Sequence, residues 1–378
     1  MTATSTRFDT VVIGVGGVGS AALFHLARRG QRVLGIEQFD LPHDRGSSHG
    51  HTRVIRQAYF EHPDYVPLLL EAYRGWRLLE QETSSALLHP IGLLEVGPPQ
   101  GEVIRGAQEA ADRHGLALER LDAAEVSQRF PALSVPEGCV GVFEPAAGYL
   151  RVEDCVRECA RAAQHHGAEI HTHETVLDWS PRKGGIRVQT DQASYDTQRL
   201  IITAGAWTAR HVAGTDLEVR IKHLHWFPTH EPKFLPSHCP IFLYELPQGV
   251  FYGFPNIDQR GIKLAEHSGG APLVDPDHRS QGVDDADLQR VTEFGREILG
   301  VPGAPTEHAR CLYTMSRDHH FIVDLLSKTP NVAFVGGLSG HGFKFAVVLG
   351  RAVADLVTQQ ETELPIDFLS RQRFASSP

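Results

Sequence analysis

Residues 9–20 read DTVVIGVGGVGS and join a β-branched run to closely spaced glycines. The run from Thr10 to Ile13 is typical of a buried strand, and the segment that follows the glycines is typical of a helix that ends at Gly30. A second strand, Arg32 to Ile36, comes next. This strand–turn–helix–strand order predicts a Rossmann-like βαβ unit that binds a dinucleotide.

Each part of this motif has a physical task. Gly14 permits the tight turn, Gly16 lets the backbone approach a pyrophosphate, and Gly19 lets the helix pack closely on the strand. Val18 belongs to the same loop, and we include it among the expected cofactor contacts. Glu37 ends the second strand and is expected to accept hydrogen bonds from ribose hydroxyls, which argues against NADP and leaves FAD and NAD open.

Composition narrows the class of protein. The chain has 378 residues, 41% hydrophobic and 22% charged, with a formal net charge of -10. The length suggests about two domains, and the negative charge disfavours nucleic-acid binding. Five cysteines without CxxC spacing do not indicate a disulfide framework, and the 22 histidines show no metal-ligand spacing. We expect a cytoplasmic protein without a membrane span or a metal site.

The predicted elements do not follow a simple βαβ repeat. We predict an α/β (α+β) protein in which a Rossmann-like cofactor domain is built from discontinuous segments, 1–88, 150–219 and 318–378. A substrate domain with a mixed or antiparallel sheet is expected from 89–149 and 220–317. Two further segments, 168–176 and 199–207, are strand-like. The second runs from Leu200–Thr203 into the small-residue turn 204–206, which would let the backbone approach a flat ligand. We include Val176 and Gly205 among the expected cofactor contacts.

Two clusters of cations indicate an anion site. His49, Arg53 and Arg56 lie in GSSHGHTRVIRQAY (46–59), a loop that we expect to lead into a helix, where the two arginines would share a face. Lys344 lies between two phenylalanines in SGHGFKF (339–345). Arg and Lys together are suited to a carboxylate, although solvent-facing cations remain the alternative.

Two further residues stand in unusual contexts. Lys263 alternates with apolar residues in GIKLAEH, so it could face either a site or solvent. Cys311, in HARCLYTMSRD (308–318), has the plain interpretation of a small buried residue, since free cysteine is commonly buried.

Several motifs together change that interpretation. From about Phe8 to Phe368 the chain resembles the monomeric sarcosine oxidase and N-methyltryptophan oxidase family of flavoproteins, within the glycine/D-amino-acid oxidase group. The motifs that carry the resemblance are SHGHTRVIR, YGFP, GIKLAEH, CLYT and GLSGHGFKF.

The resemblance implies a role for each matching residue. Cys311 would carry FAD through a thioether to the 8α-methyl carbon, and Lys263 would lie near flavin N5 and promote the reaction with O2. Arg56 and Lys344 would bind the substrate carboxylate. Other residues would line the substrate pocket or contact the flavin: Tyr252, His267 and Tyr313 on the substrate side, His49 and Arg53 beside the flavin, and Gly340, Gly342, Phe343 and Lys344 at its pyrimidine side.

The implied activity is FAD-dependent oxidation of a secondary amino acid such as sarcosine by O2, giving formaldehyde, the primary amino acid and H2O2. The resemblance favours a monomer with a small-molecule substrate. The alternative substrates are N-methyltryptophan, a cyclic imino acid such as pipecolate or proline, and a glycated amino acid. A non-catalytic dinucleotide-binding protein is the remote alternative function. Gln57, Phe60 and Leu243 depart from the sarcosine-type pattern, so they leave the size of the substrate open.

Overall fold

A computed structural model describes residues 7–278, 282–301 and 303–374. Its α-helices are α1 (Gly17–Arg28), α2 (Val66–Thr83), α3 (Glu102–His114), α4 (Ala123–Arg129), α5 (Val152–His165), α6 (Thr208–His211), α7 (Asp285–Leu299) and α8 (Ala346–Gln359). Short 3₁₀ turns include Pro63–Tyr65, Gly205–Trp207 and Phe343–Phe345.

The strands, in chain order, are β1 (Arg7–Ile13), β2 (Val33–Ile36), β3 (Thr52–Ile55), β4 (Leu88–Pro90), β5 (Leu93–Gly97), β6 (Glu119–Leu121), β7 (Val140–Glu144), β8 (Gly148–Arg151), β9 (Glu169–His171), β10 (Val176–Arg182), β11 (Gly185–Thr190), β12 (Ser194–Ile202), β13 (Glu218–Phe227), β14 (Ile241–Leu246), β15 (Gly249–Phe254), β16 (Ile262–Glu266), β17 (Ala271–Pro272), β18 (Glu307–Met315), β19 (Ile322–Leu326) and β20 (Thr329–Gly336).

An eight-stranded sheet carries the glycine motif. Strands β9, β2, β1, β12 and β20 pair in parallel in that order, while β19 and the β10–β11 hairpin pair antiparallel at its margins. Val11 and Val12 of the central strand are fully buried, as expected of a parallel strand covered on both faces. The predicted Rossmann-like arrangement is therefore confirmed.

Helices α1 and α8 pack very closely beside this sheet. A Cβ atom on Gly350 would lie 2.6 Å from the Cβ of Ala21, a distance shorter than any real contact between carbon atoms. Small residues at this crossing let the backbones of the two helices approach each other. The first turns of α1 are therefore packed directly against α8.

A nine-stranded, mostly antiparallel sheet forms a second layer. Its order is β17-β13-β16-β15-β14-β5-β7-β6, and β18 also pairs with β13. Its apolar core includes Phe242, Phe251 and Phe294, the last from α7. A three-stranded sheet, β3-β8-β4, has no strand pairing with either larger sheet. The expected mixed or antiparallel second sheet is confirmed.

Two local predictions are wrong. The segment after Arg53 does not enter a helix, because Thr52–Ile55 pairs with β8 as strand β3; Arg53 and Arg56 therefore do not share a helical face. The strand predicted over 168–176 ends at His171, and a separate strand begins at Val176. His173 between them has a φ of 56°, which an extended strand does not tolerate.

Helix α4 begins with a capping box, in which Asp122 and Glu125 each accept a hydrogen bond from the other's backbone N–H group. The proposed two-domain division stays a prediction, and its outermost residues, 1–6 and 375–378, lie outside the described part of the chain.

Candidate functional site

The glycine motif, Gly14–Gly19, forms a tight loop at the start of α1, which we call the cradle. Gly14 has a φ of 82°, and a Cβ there would lie 2.7 Å from the carbonyl oxygen of Thr203. A Cβ on Gly19 would lie 1.9 Å from the carbonyl oxygen of Gly14. Only glycine fits these two positions. The N-terminus of α1 follows directly, and the Gly17 N–H there donates to Oγ of Ser48 at 3.1 Å; helix N-termini favour anions.

Glu37 lies at the end of β2, beside this cradle. Its carboxylate accepts hydrogen bonds from the backbone N–H groups of Val15, at 2.9 Å, and Phe39, at 3.1 Å. Burial raises the pKa of Glu37, while those N–H groups lower it. These two hydrogen bonds fix the carboxylate beside the glycine loop.

One long cavity connects the cradle to the second sheet. Its empty volume is about 1360 Å³, including space open to solvent. The predicted cofactor residues that line it are Gly14, Gly16, Val18, Glu37, Arg53, Val176, Gly205, Cys311, Gly340, Gly342 and Phe343, and Tyr313 joins them. Gly19 and Lys344 are outside this lining.

Cys311 is on β18 at the wall of this cavity. Arg53 donates a hydrogen bond to its Sγ at 3.0 Å, although 258 positions separate the two residues in the chain. Burial lowers the pKa of the Arg53 guanidinium. Electrostatic interactions with Cys311, Tyr252 and Tyr313 outweigh this effect and raise the pKa above its ordinary value. A cation and a thiol therefore meet beside the cavity.

Lys263 is buried under strand β3. Its Nζ donates to the carbonyl oxygens of Gly50 and Thr52 and to Oγ1 of Thr52, at 2.8, 2.9 and 3.0 Å. Three acceptors suit the three N–H groups of an ammonium ion. Burial, followed by the charge of Arg53, lowers the pKa of Lys263 well below its ordinary value. His49, in the preceding loop, is also buried.

Tyr252, His267 and Tyr313 lie close together on the second sheet. The rings of His267 and Tyr313 are 5.8 Å apart, and those of Tyr252 and His267 are 6.5 Å apart. Burial is the main cause that lowers the pKa of His267 to about 4. The imidazole is therefore neutral at physiological pH and presents hydrogen-bonding nitrogens rather than a charge.

Arg56 and Lys344 are buried against one tyrosine. The guanidinium carbon of Arg56 lies 4.3 Å from the ring centre of Tyr59, and Nζ of Lys344 lies 5.1 Å from it. Lys344 donates to the carbonyl oxygen of His341 at 2.8 Å. Burial, followed by the charge of Arg56, lowers the pKa of Lys344 to about 7.

Two acidic residues that the sequence analysis did not select complete this cluster. Glu61 accepts a hydrogen bond from Arg56 at 2.5 Å; although burial opposes ionisation, Arg56 lowers the pKa of Glu61 to about 2. Glu95, on β5, has Oε1 3.8 Å from Nε of Arg56. An acid inside the apolar run IGLLEV was the available sequence signal for Glu95, whereas nothing local marked Glu61.

The fold and the cavity define a dinucleotide-binding protein of the Rossmann type, whose cavity extends to the second sheet at β18. A family model described as FAD dependent oxidoreductase matches residues 9–356. The chain belongs to this family of FAD-dependent oxidoreductases, and the predicted choice of FAD is confirmed.

Relatives cover nearly the whole chain. The chain is 37% identical to a monomeric sarcosine oxidase of Streptomyces avermitilis, over 99% of this chain and 100% of that protein. It is 33% identical to an N-methyl-L-tryptophan oxidase of Yersinia pestis, over 97% and 99%. The open form of NikD, an unusual amino acid oxidase essential for nikkomycin biosynthesis, superimposes with a TM-score of 0.86 at 25% identity, over 97% and 98% of the two chains.

The described residues fit FAD. Contacts within the cradle admit only glycine at positions 14 and 19, and Glu37 and Cys311 line the same cavity. Among the helices in the described ranges, none is both long and apolar enough to cross a membrane.

Proposed function

We propose that this chain oxidises N-methyl amino acids such as sarcosine and holds FAD through a thioether at Cys311. The observation that supports this most directly is the pair of buried cations, Arg56 and Lys344, that converge on Tyr59. Two cations in a buried site favour a carboxylate. The relatives named for sarcosine and N-methyl-L-tryptophan support a secondary amine as the reacting group.

Arg56 and Lys344 would anchor the substrate carboxylate in this proposal. Because Arg56 already donates to Glu61 and to the carbonyl oxygen of Ala58, the substrate would share the guanidinium with Glu61. Tyr252, His267 and Tyr313 would surround the amine. A neutral His267 can accept a proton or a hydrogen bond there without repelling a substrate ammonium.

The cofactor site would use the cavity residues named above, with Glu37 at the ribose and the Gly340–Phe343 turn at the ring. Arg53 places a positive charge and a hydrogen bond at the Cys311 sulfur, where the thioether would form. Bound FAD would supply a two-electron acceptor that O2 reoxidises. Overall, R–NH–CH3, O2 and H2O give R–NH2, CH2O and H2O2, because the first-formed imine is hydrolysed.

Lys263 would promote the reaction with O2. Burial disfavours the charged form of Lys263, but negative charge that develops on O2 would favour protonation, and the resulting ammonium would stabilise that charge. Three hydrogen bonds to Gly50 and Thr52 hold the Lys263 side chain, so little reorganisation is needed. His49 and Arg53 would lie near Lys263 and place further polar groups beside the flavin ring.

The decisive experiment is acid precipitation of the purified holoenzyme, with spectra of pellet and supernatant. We expect yellow colour in the pellet of the wild-type protein and in the supernatant of Cys311→Ala. Cys139→Ser is the matched control, because Cys139 is half-buried and is not among the residues that line the cavity. Free flavin from the wild-type protein would contradict the covalent link, and no H2O2 from any N-methyl amino acid would contradict the activity.

We also propose that the enzyme works as a monomer in the cytoplasm. The relatives named monomeric sarcosine oxidase support the first part. Light scattering on the purified holoenzyme tests it, since a mass near twice 41.7 kDa would contradict a monomer. Fractionation of the producing cells tests the location.

A further inference from the structure

Glu95 lies on the sheet face that carries the candidate substrate residues. In the register of the second sheet, Glu95 on β5 is opposite Leu243 on β14, and Leu243 is opposite Tyr252 on β15. Directly paired residues point to the same face of a sheet. Tyr252 is in turn opposite Ala265, two residues before His267, so Glu95 shares its face with both.

The carboxyl group of Glu95 is incompletely satisfied. The residue is 1% exposed, and its Oε1 has no hydrogen-bond partner among the described residues. Nε of Arg56, at 3.8 Å, is too distant for a hydrogen bond. By contrast, Glu144 next to it accepts from the N–H groups of Gln57 and Ala58, at 2.8 and 2.9 Å.

A buried carboxylate oxygen without a hydrogen bond is costly, because it has lost water and gained no donor within hydrogen-bonding distance. Burial is the main cause that raises the pKa of Glu95 to about 8; Arg56 and Lys344 lower it, whereas Glu144 and Glu61 raise it further. A cationic donor brought by a ligand would both satisfy the oxygen and favour the ionised form.

We propose that Glu95 is a specificity-determining residue that accepts a hydrogen bond from an ammonium group in the substrate side chain. The enzyme would then prefer N-methyl amino acids with a short cationic side chain. This inference rests on the proposed function, because the carboxylate anchor at Arg56 sets the position of the side chain. Glu95 lies beside that anchor, with its Oε1 3.8 Å from Nε of Arg56.

The test compares substrates that differ in one terminal group. Nα-methyl-L-ornithine and Nα-methyl-L-norleucine have side chains of equal length that end in ammonium or methyl, and Nα-methyl-L-2,4-diaminobutanoate and Nα-methyl-L-norvaline form a pair one methylene shorter. Peroxide release gives the kcat/KM ratio within each pair. We compare wild type, Glu95→Gln, Glu95→Leu and, as a control, the exposed Glu137→Gln.

We expect wild type and Glu137→Gln to favour the cationic member of at least one pair by ten-fold or more. Both Glu95 variants should bring that ratio close to one or below it. A wild-type ratio near one in both pairs would overturn the inference. Equal losses for both members in the Glu95 variants, with the ratio kept, would also overturn it, because Glu95 would then act only by positioning Arg56.

A binding titration separates this inference from the proposed oxidation. Changes in flavin absorbance on adding 4-aminobutanoate or pentanoate to the holoenzyme give two dissociation constants. Tighter binding of 4-aminobutanoate, lost in Glu95→Gln, supports the inference, and equal binding opposes it. If no secondary amine yields peroxide, the proposed function fails, and the titration still decides whether Glu95 selects a cationic ligand.

Discussion

Replacement of Glu61 by glutamine removes the carboxylate that pairs with buried Arg56. The Glu61 side chain is 14% exposed, and its pKa falls from 4.5 to about 2 on account of Arg56, against the effect of burial. One pH unit corresponds to about 1.36 kcal/mol, so ionised Glu61 contributes roughly 3 kcal/mol to stability. Glu61→Gln should therefore lower the free energy of unfolding by about that amount at pH 7.

The stability difference between the wild type and Glu61→Gln should decrease as the pH falls. Because the pKa of Glu61 is lower in the folded chain, its contribution is complete above about pH 4.5 and is lost as the pH falls toward 2. Urea unfolding of holoenzymes, followed by circular dichroism, should give a difference between wild type and variant of about 3 kcal/mol at pH 7, and roughly 2 kcal/mol at pH 3.5.

Glu119→Gln is a suitable control, because the Glu119–Arg129 pair is about two-fifths exposed on both sides. Exposed pairs contribute roughly 0–1 kcal/mol. If Glu61→Gln lowered the free energy of unfolding by no more than Glu119→Gln, or if the difference did not shrink in acid, the argument that Arg56 depends on a buried counter-ion would be wrong.

Glu61 also competes with ligands for Arg56. The Glu61→Gln variant should therefore bind carboxylate inhibitors more tightly than the wild type.

Other predictions concern the cofactor cradle and the carboxylate anchor. Gly19→Ala should give a protein of low stability with little flavin, measured as the flavin-to-protein ratio, because its Cβ would meet the Gly14 carbonyl oxygen at 1.9 Å. Gly16→Ala should stay folded, with its nearest neighbour, Ser48 Oγ, at 3.5 Å, but bind FAD more weakly; equal stability losses in the two variants would contradict this. Lys344, with a pKa of about 7, should lose its charge as the pH rises, so the dissociation constant of a carboxylate inhibitor should increase above pH 7, and Lys344→Met should abolish that dependence.

Patterns formed by residues close together in the sequence made part of the fold predictable. The glycine spacing at 14–19, the strand before it and the helix after it appear in the structure as β1 and α1, because turn sterics, caps and periodicity depend on residues a few positions apart. The same holds for the capping box of α4. The helix predicted after Arg53 was wrong, because local patterns do not show long-range pairing. That segment forms β3, which pairs with β8, nearly one hundred residues later in the chain.

The sequence by itself determined the dinucleotide fold, the family and the identity of the conspicuous cations and of Cys311. Only the tertiary structure decided their partners: the Arg53–Cys311 hydrogen bond, the Arg56–Glu61 pair and the unsatisfied Glu95. The physical reason is that burial and electrostatic interaction depend on distances in space. Sheet register brings Glu95, Leu243 and Tyr252 into one row, and no local pattern encodes that register.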